Sequence, residues 1–579
     1  MSDDPDPIGD GSDYRRRTFM ALLSAFGITG AAGCSGDDGG GTDTEGGNGN
    51  GDTPTDTTSG NGNGNGNGDT ATEPPTQTPP PTAPPVQGFD PVTYPRPDDA
   101  NVVFGEGVDG LNGLTATPPD PNAEEQDYTE VTQWELADDG SYFTVINGTG
   151  NKWFRDLLGD VHLHIEFSPP DNAGDASGQS SGNSGIFLMD RYEVQVINNW
   201  NNTTYGAGYA GSLYQDCPPL VDPAHPPTEW NAYDIIWRAP EFDDQGSVES
   251  PAAATIFMNG VCIMAHINAR GPNFGGPSPY EQHAKEISVR LQDHPGISDV
   301  SYRNIWYQVI PPHSETGDDP QYRQQYEYDK FDDVSSIDDY MCQDYLQDLP
   351  DSYRANEGNR YGPPVVDSGA DLADPPNDGQ FSTAPGDATI LLEAGDLEGW
   401  VGPDGGEPGW TPEGDHITVA PGAGNITSEE TVGDSQIHVE FRIPEGASNP
   451  DSGVLLADRY EINIAGSGTG VEGCGAYTYQ AAPLRDATRP AGEWQSLDMV
   501  WQGPRTEGGV FGRPGRVTVL LNGQVVQKRL YLNGSNADGQ VDGYGAHPAS
   551  APITLQENGS EVDFRYLWAR PLYPDKQRQ

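Results

Sequence analysis

The chain repeats itself, and this repeat constrains its fold more than any other feature. A period of about 265 residues is too long for a solenoid and indicates two copies of one domain. We predict tandem domains over residues 91–312 and 386–573, joined by an acidic connector over residues 313–385. The segments that match are His162–Phe167 with Gln436–Phe441, Asn183–Val196 with Asp451–Ile464, and Asn259-Gly260 with Asn522-Gly523.

Both copies have the residue pattern of β-strands. Apolar and polar residues alternate in His162–Phe167 and in Arg191–Val196, so each strand would bury one face. The two Asn-Gly pairs lie between apolar stretches, which is the strongest short signal for a β-hairpin. The chain has 75 glycines and 52 prolines, and therefore frequent turns. We predict an all-β protein with two tandem β-sandwiches of jelly-roll type.

The N-terminal segment is predicted to export and tether the protein. Residues 1–34 contain Arg15–Arg17, a short apolar stretch and small residues before Cys34, which is typical of a twin-arginine signal with a lipobox. Cys34 would then carry the lipid, whereas a signal cut elsewhere would leave Cys34 incidental. Residues 35–90 are rich in Gly, Asn, Thr and Pro and are predicted to be a disordered tether. We expect a lipid-anchored protein on the extracellular face of the cell membrane.

The charge excludes one class of partner. The chain has 29 Lys and Arg against 89 Asp and Glu, and the net charge of −60 would repel the phosphates of a nucleic acid. The acidity is spread along the chain and resembles that of proteins from extreme halophiles, so we expect a halophilic archaeal source. Four cysteines allow three disulfide pairings, but export in a folded state favours free thiols at Cys217, Cys262, Cys342 and Cys474.

The repeated segments resemble the 3-keto-disaccharide hydrolase domain. The resemblance covers most of both copies and rests on Asn183–Leu188, Arg191–Val196, Pro227–Trp230, Leu291–His294 and His438–Phe441. It implies a concanavalin-like and laminin-G-like jelly roll, and chemistry directed at glycosides already oxidised at C3. A separate sugar 3-oxidoreductase would have to supply such a substrate, because no dinucleotide-binding motif follows a predicted strand here.

The candidate catalytic residues follow from what a 3-keto sugar requires. Double-displacement glycosidases need two carboxylates about 5–5.5 Å apart, whereas Arg191–Gln195 offers one carboxylate and one amide. A ketone at C3 acidifies the C2 proton, so one base, one oxyanion donor and one acid suffice for elimination of the C1 group. We assign Glu193 as the base or as an acceptor for a sugar hydroxyl, Arg191 as the oxyanion donor, and His164 or His294 as the proton shuttle. Alternatively, Glu193 and Arg191 pair with neighbouring charges on a solvated sheet face.

Other polar residues are predicted to bind the sugar. His294 of the first copy becomes Asn558 in the second, so the second copy would bind sugar without turnover. We expect Trp230 and Trp494 in the core, and Asp234 and Asp498 at strand ends. The predicted sugar-binding residues are Gln195, Gln215, Gln292 and Asp293 in the first copy and Arg459, Glu461, Gln480 and Gln556 in the second.

Cofactors are not predicted. His162 and His164 would share one strand face and could hold a metal, but no complete ligand set is readable from the spacing. We therefore predict no metal site and leave a divalent ion such as Ca²⁺ open. Three functions remain, in order of preference: a lipid-anchored enzyme acting on an oligosaccharide or glycoside substrate, a tethered lectin-like binding protein, and a structural surface protein. The fold alone does not separate them, because jelly rolls host both enzymes and lectins.

Overall fold

A computed structural model describes residues 96–311 and 384–572, together with residues 363, 366 and 368. Short gaps fall at 172–177, 201, 203, 205, 275, 295, 298, 508–509, 533 and 537–546. The predicted signal with Cys34, the predicted tether, Cys342 and nearly all of the predicted connector lie outside the described residues. The described residues belong to one compact unit, Pro85–Gln579. Within them, no helix is long and apolar enough to cross a membrane.

Strands dominate both copies, and the regular helical structure of the described residues consists of three short 3-10 helices, Gly178–Ser180, Gly206–Gly208 and Pro403–Gly405. The strands of the first copy are β1 Asn101–Phe104, β2 Leu114–Thr115, β3 Glu135–Leu136, β4 Phe143–Thr144, β5 Lys152–Leu158, β6 Val161–Ser168, β7 Ser184–Leu188, β8 Tyr192–Val196, β9 Asn231–Arg238, β10 Glu241–Phe242, β11 Val248–Ser250, β12 Ala253–Met258, β13 Val261–Asn268, β14 Ile287–Leu291 and β15 Ser301–Val309.

The second copy repeats this order. Its strands are β16 Thr389–Leu392, β17 Trp400–Val401, β18 Thr411–Glu413, β19 His416–Thr418, β20 Ile426–Val432, β21 Ser435–Arg442, β22 Asp451–Leu456, β23 Tyr460–Ala465, β24 Trp494–Gln502, β25 Arg505–Glu507, β26 Val510–Arg513, β27 Arg516–Leu521, β28 Gln524–Tyr531, β29 Ala551–Leu555 and β30 Asp563–Pro571.

Each copy is a sandwich of an eight-stranded and a five-stranded sheet. The first copy packs β13-β12-β9-β6-β15-β4-β3, with β1 also paired to β15, against β2-β5-β14-β7-β8. The second packs β18-β19-β30-β21-β24-β27-β28, with β16 also paired to β30, against β17-β20-β29-β22-β23. Strands β10-β11 and β25-β26 form small separate ribbons. The prediction of an all-β chain with two tandem sandwiches is confirmed.

The alternation in the sequence decides which residues enter the core. Leu163 and Ile165 of β6 and Tyr192 and Val194 of β8 are buried in one apolar cluster between the two sheets of the first copy. The polar residues between them therefore point away from the core, onto what we call the outer face of each sheet.

The predicted hairpins form at both Asn-Gly pairs. Asn259 and Gly260 have φ angles of 51° and 76°, and Asn522 and Gly523 have 51° and 77°. Two consecutive residues with positive φ are what a two-residue turn of type I′ requires, and Asn-Gly adopts them at low cost.

The outer faces of the two eight-stranded sheets contact each other. Gln436 accepts a hydrogen bond from the Cys262 amide at 2.8 Å and donates one to the Gly260 carbonyl at 2.7 Å. His266 lies 3.2 Å from the Thr518 hydroxyl and 3.3 Å from the Val500 carbonyl oxygen. The apolar cluster of the first sandwich continues across this contact through Val500, Leu520, Val525 and Leu572.

Candidate functional site

The outer face of the first five-stranded sheet carries a buried carboxyl group. Glu193 and Gln195 alternate with core residues along β8, and Glu193 is only 3% exposed. Glu193 pairs with Phe187 and Gln195 with Gly185 on the neighbouring strand β7. A Cβ atom on Gly185 would lie 2.6 Å from Glu193 Oε1 and 2.8 Å from Phe187 Cε2. The carboxyl group and the phenyl ring therefore converge above Gly185, where only glycine leaves room.

An asparagine fixes the backbone that carries this carboxyl group. β8 is the edge strand of its sheet, and Asn273 covers that edge. The Glu193 amide donates to Asn273 Oδ1 at 2.6 Å, and Asn273 Nδ2 donates to the Glu193 carbonyl at 3.1 Å. The Asn273 side chain thus satisfies the Glu193 amide and shares the Glu193 carbonyl with the Tyr214 amide, which donates to the same oxygen at 3.0 Å.

Burial changes the acidity of Glu193. Because the surrounding protein disfavours the charged form, the pKa of Glu193 rises to about 8, although the nearby positive charge of Arg290 opposes the rise. Arg290 lies in β14, where it pairs with Phe187, and its guanidinium carbon lies 3.6 Å from the Phe187 ring centroid. At neutral pH the Glu193 carboxyl group is mainly protonated and able to donate a proton.

Three amide oxygens beside Glu193 accept no hydrogen bond from the described residues. These are Asn183 Oδ1, Gln195 Oε1 and Gln292 Oε1, all on buried side chains. Two of these side chains are held in place through their amide nitrogens. Gln195 Nε2 donates to Gln179 Oε1 at 2.9 Å, and Asn183 Nδ2 donates to the Gln179 carbonyl at 2.9 Å. Buried acceptors without donors are costly unless a ligand satisfies them, and sugar hydroxyls are suitable donors.

We call this surface the Glu193 face and define it by Gly185, Phe187, Glu193, Gln195, Arg290 and Gln292. Of the residues selected from the sequence, the structure brings Glu193, Gln195 and Gln292 together here. Gln292 enters the sheet because its amide donates to the Gly185 carbonyl at 2.9 Å.

Other selected residues of the first copy surround this face. Arg191 lies in the turn between β7 and β8, where its charge acts on Tyr192 and His283. Asp293 holds a loop, because its carboxylate accepts the amides of Gly148 at 3.2 Å and Gly150 at 2.7 Å.

His294 and Gln215 lie in loops beside the strands of the Glu193 face. His294 follows Gln292 by two residues and is half-buried. Gln215 is exposed, has a φ of 56°, and places its Oε1 3.1 Å from the position of a Cβ on Gly276, in the loop that carries Asn273.

His164 lies on the opposite side of the sandwich. It belongs to β6 of the eight-stranded sheet and points to the outer face of that sheet, where its Nδ1 is 3.0 Å from Asp234 Oδ1. Its ring stacks on Trp306 with centroids 4.9 Å apart. Burial opposes its charge, but Asp234 and Glu166 outweigh burial and raise the pKa of His164 to about 10. The structure therefore does not bring His164 to Glu193.

The same buried cluster corrects two expectations. Asp234 lies in the middle of β9, not at a strand end, and both His162 and His164 contact its Oδ1 at 3.0 Å. Trp230 is half-exposed instead of lying in the core, and the Arg303 guanidinium covers its ring at 4.2 Å.

The second copy has the equivalent arrangement. Asp498 lies within β24, and His438 contacts it at 2.7 Å. Trp494 is half-exposed, with Arg565 at 4.0 Å from its ring centroid. The expectation that Asp498 ends a strand and that Trp494 fills the core was therefore also wrong.

The second copy has a cavity of about 870 Å³ over the position that corresponds to the Glu193 face. Glu461 and Gln556 line it, together with Asn463, Tyr479, Asp451 and Asn558. Glu461 is 4% exposed, and the Thr478 hydroxyl donates to its Oε1 at 3.0 Å. Asn536 repeats the role of Asn273, since it accepts the Glu461 amide at 2.7 Å and donates to the Glu461 carbonyl at 3.1 Å.

The backbone shows which residues of the two copies are equivalent. Leu213 bridges to Val194 and Cys217 as Tyr477 bridges to Ile462 and Ala481. Gln215 therefore corresponds to Tyr479, and both have positive φ. Gln480, the candidate chosen in the second copy, lies one residue beyond the position equivalent to Gln215. Gln480 is buried, and neither it nor Arg459 lines the cavity.

Three features of the Glu193 face were missed in the sequence. Arg290 could have been found, because it alternates with the core residues Val289 and Leu291 and so shares a face with Gln292. Asn273 and Asn536 align at the same shift as the two Asn-Gly pairs. The role of Gly185 and Gly453 is visible only once the carboxyl groups of the paired strands are placed.

Metal ligands do not assemble in the described part of the chain. No group of three or more His, Cys, Asp or Glu residues there is arranged to hold a metal ion. Cys217, Cys262 and Cys474 are buried free thiols.

Comparison with known proteins adds a family. The model of the 3-keto-alpha-glucoside-1,2-lyase-like domain matches residues 117–308 and again residues 387–570. No protein with a curated description matches the chain.

Solved structures give partial matches. A proposed glycosyl hydrolase of Parabacteroides distasonis is 33% identical over 37% of this chain and 84% of its own, with a TM-score of 0.32. A second from that organism is 20% identical over 32% and 93%, with a TM-score of 0.25. A carbohydrate-binding module of Bacillus subtilis is 14% identical over 29% and 93%, with a TM-score of 0.18.

Proposed function

The chain belongs to the family of 3-keto-alpha-glucoside-1,2-lyase-like domains and is a carbohydrate-active protein, and on that premise we propose that its first sandwich cleaves 3-keto-glycosides. The bond that breaks joins C1 of the oxidised sugar to the glycosidic oxygen. The reaction takes place on the Glu193 face and proceeds by elimination, with water then adding to the product.

One observation carries this proposal. Glu193 is a buried carboxyl group with a pKa of about 8, and it lies beside amide oxygens of Gln195 and Gln292 that accept no hydrogen bond from the described residues. A strongly raised pKa at a polar surface that lacks donors is a common property of catalytic sites. A solvated ion pair on a sheet face would have shown neither feature.

The chemistry needs an acid, a base and a donor to oxygen. The C3 ketone makes the hydrogen on C2 acidic. When a base removes it as a proton, the electron pair of the C2–H bond forms an enolate over C2, C3 and the ketone oxygen. The enolate then re-forms the ketone while a C1–C2 double bond forms and the C1–O bond breaks. Glu193, protonated below about pH 8, donates its proton to the departing oxygen. His294, two residues after Gln292, takes the C2 proton, so the proposed base is His294 and not Glu193, the base expected from the sequence.

The second sandwich is proposed to bind a saccharide without cleaving it. The supporting observation is the cavity of about 870 Å³ lined by Glu461 and Gln556, which is large enough for a sugar ring. Asn558 stands in that copy at the position of His294 and cannot act as a base. The cavity thus keeps the hydrogen-bonding groups and loses the imidazole.

Location and substrate supply also remain proposals. Residues 1–34 would export the chain by the twin-arginine route and Cys34 would anchor it, and both sandwiches would then lie outside the cell. An oxidoreductase that converts a sugar hydroxyl at C3 to a ketone would supply the substrate.

The test is release of the leaving group from 3-keto-trehalose, with trehalose as the unoxidised control. The chain beginning at Cys34 is assayed in multimolar salt, as wild type and as the matched variants Glu193→Gln and Glu461→Gln. We expect release from the keto sugar alone, its loss in Glu193→Gln and its retention in Glu461→Gln.

Other results would reject parts of the proposal. A wild type that binds the keto sugar in calorimetry without releasing the leaving group is a lectin-like protein and not an enzyme. Release that survives in Glu193→Gln but disappears in Glu461→Gln would assign the chemistry to the second sandwich.

A further inference from the structure

Arg290 is held in one orientation on the Glu193 face. It lies in β14 beside β7, and its Nε donates to Asp190 Oδ1. Its guanidinium carbon lies 3.6 Å from the centroid of the Phe187 ring, at cation–π distance. These two contacts fix both the position and the plane of the guanidinium group.

The remaining donors of Arg290 are unused within the described residues. Its side chain is 11% exposed, and only its Nε makes a hydrogen bond there, which leaves both Nη groups available to a ligand. Arg290 stacks on the Phe187 ring, and this ring lies next to the Glu193 carboxyl group. A Cβ atom built on Gly185 would be 2.8 Å from Phe187 Cε2 and 2.6 Å from Glu193 Oε1. Arg290 is also the residue whose charge acts on Glu193. The cation and the acid therefore belong to one site.

A preorganised guanidinium group is suited to developing negative charge on oxygen. It presents two parallel N–H donors, keeps its charge at all relevant pH values and needs no reorientation during the reaction. In elimination from a 3-keto-glycoside, negative charge develops on the ketone oxygen after the C2 proton leaves. We propose that Arg290 binds the C3 ketone oxygen through its Nη groups and stabilises the enolate, so that Arg290 is the residue by which the site recognises oxidised sugars. This inference rests on the proposed function.

The second sandwich provides an internal comparison. Thr554 pairs with Leu455 as Arg290 pairs with Phe187, and its hydroxyl donates to Asp458 Oδ1 at 2.8 Å, just as Arg290 donates to Asp190. The carboxylate is kept while the cation is replaced by a short neutral side chain. Among the described residues, no Lys or Arg lines the cavity of about 870 Å³. That copy has the sugar-binding groups without a donor strong enough for an enolate.

The test replaces Arg290 by the residue of the second copy. For Arg290→Thr we expect kcat on 3-keto-trehalose to fall roughly 10²- to 10³-fold, the loss typical of a removed oxyanion donor. The Kd for unoxidised trehalose should change less than about three-fold, because that sugar has no ketone. Thr554→Ala is the matched variant and should leave kcat unchanged.

Chemical rescue distinguishes this role from a structural one. Guanidinium ion at millimolar concentration should restore several-fold activity to Arg290→Ala but not to Glu193→Gln. Arg290→Lys, which keeps the charge but not the fork, should lose at least about ten-fold in kcat with an unchanged unfolding temperature.

The outcomes separate this inference from the proposed function. If the wild type releases nothing from the keto sugar, the proposed function fails. If the wild type is active and Arg290→Thr stays within about three-fold of it, or if folded Arg290→Ala shows no rescue, the role of Arg290 is refuted while the proposed function stands.

Discussion

Replacing Gly185 by alanine tests the geometry of the Glu193 face with a single methyl group. No positive φ is recorded for Gly185, so alanine is strained there only by its neighbours. The new Cβ would lie 2.6 Å from Glu193 Oε1 and 2.8 Å from Phe187 Cε2, whereas ordinary contacts begin near 3.4 Å. The carboxyl oxygen must therefore move by about 0.8 Å, and the Phe187 ring that carries Arg290 by nearly as much.

A displacement of this size predicts a large catalytic effect and a modest effect on stability. Misplacement of a reacting group by about 1 Å costs roughly 10²-fold in rate, and an extra methyl group in a packed site costs about 1–3 kcal/mol. We expect kcat/KM on 3-keto-trehalose to fall about 10²-fold in Gly185→Ala, while the free energy of unfolding in urea falls by about 1–3 kcal/mol.

The matched control is Gly453→Ala in the second copy. Its Cβ would lie 2.9 Å from Glu461 Cγ, so the steric cost should be similar. Activity should nevertheless stay at the wild-type level, because this copy is proposed to bind only. Gly185→Ala with activity within three-fold of wild type would refute the placement of Glu193, and equal losses in both variants would refute the division between the copies.

Three further predictions follow from the same contacts. Burial raises the pKa of Glu193 from 4.5 to about 8, so the stability due to its neutral form is complete below pH 4.5 and is lost as the pH rises through about 8. The wild type should therefore lose stability relative to Glu193→Gln over that range, and its kcat/KM should fall above pH 8; parallel curves would contradict this. Asn273→Ala and Asn536→Ala each remove the acceptor of the backbone amide of a buried glutamate, so each should cost about 1–3 kcal/mol in urea unfolding, with loss of activity only in Asn273→Ala. Gln436→Ala should lower the free energy of unfolding by a similar amount, and so lower the urea midpoint, because Gln436 accepts the Cys262 amide across the sandwich contact. An unchanged midpoint would argue against that contact.

The fold could be predicted because its signals are local. Period-two alternation selects the buried residues of β6 and β8, and the Asn-Gly pairs fix two hairpins, so each signal needs only a few neighbouring residues. The repeat also predicted the number of domains. Since each signal is repeated in both copies, chance agreement is small.

The site was only partly predictable because alternation does not say which sheet a strand joins. His164 and Glu193 both alternate with core residues, yet their strands belong to different sheets, so their polar side chains point to opposite sides of the sandwich. Arg191 precedes β8 by one residue and lies in a turn. Arg290 reaches Glu193 only because β14 lies next to β7, and that pairing of distant segments is a property of the tertiary structure.

The packing of the two sandwiches would allow one chain to carry the proposed reactive site and the proposed binding site without interference. Gln436 and His266 join the outer faces of the eight-stranded sheets, whereas Glu193 and Glu461 lie on the outer faces of the five-stranded sheets. Both proposed sugar sites therefore face away from the contact, so a disaccharide bound at one would not touch the other. The second copy has Thr554 in place of the cation and Asn558 in place of the imidazole, while its glutamate, asparagine and glycine have equivalents in the first. A binding site that faces away from the reactive one could hold a long glycan near the enzyme but could not supply a catalytic group, so under the proposed function turnover of a disaccharide would depend on the first sandwich alone.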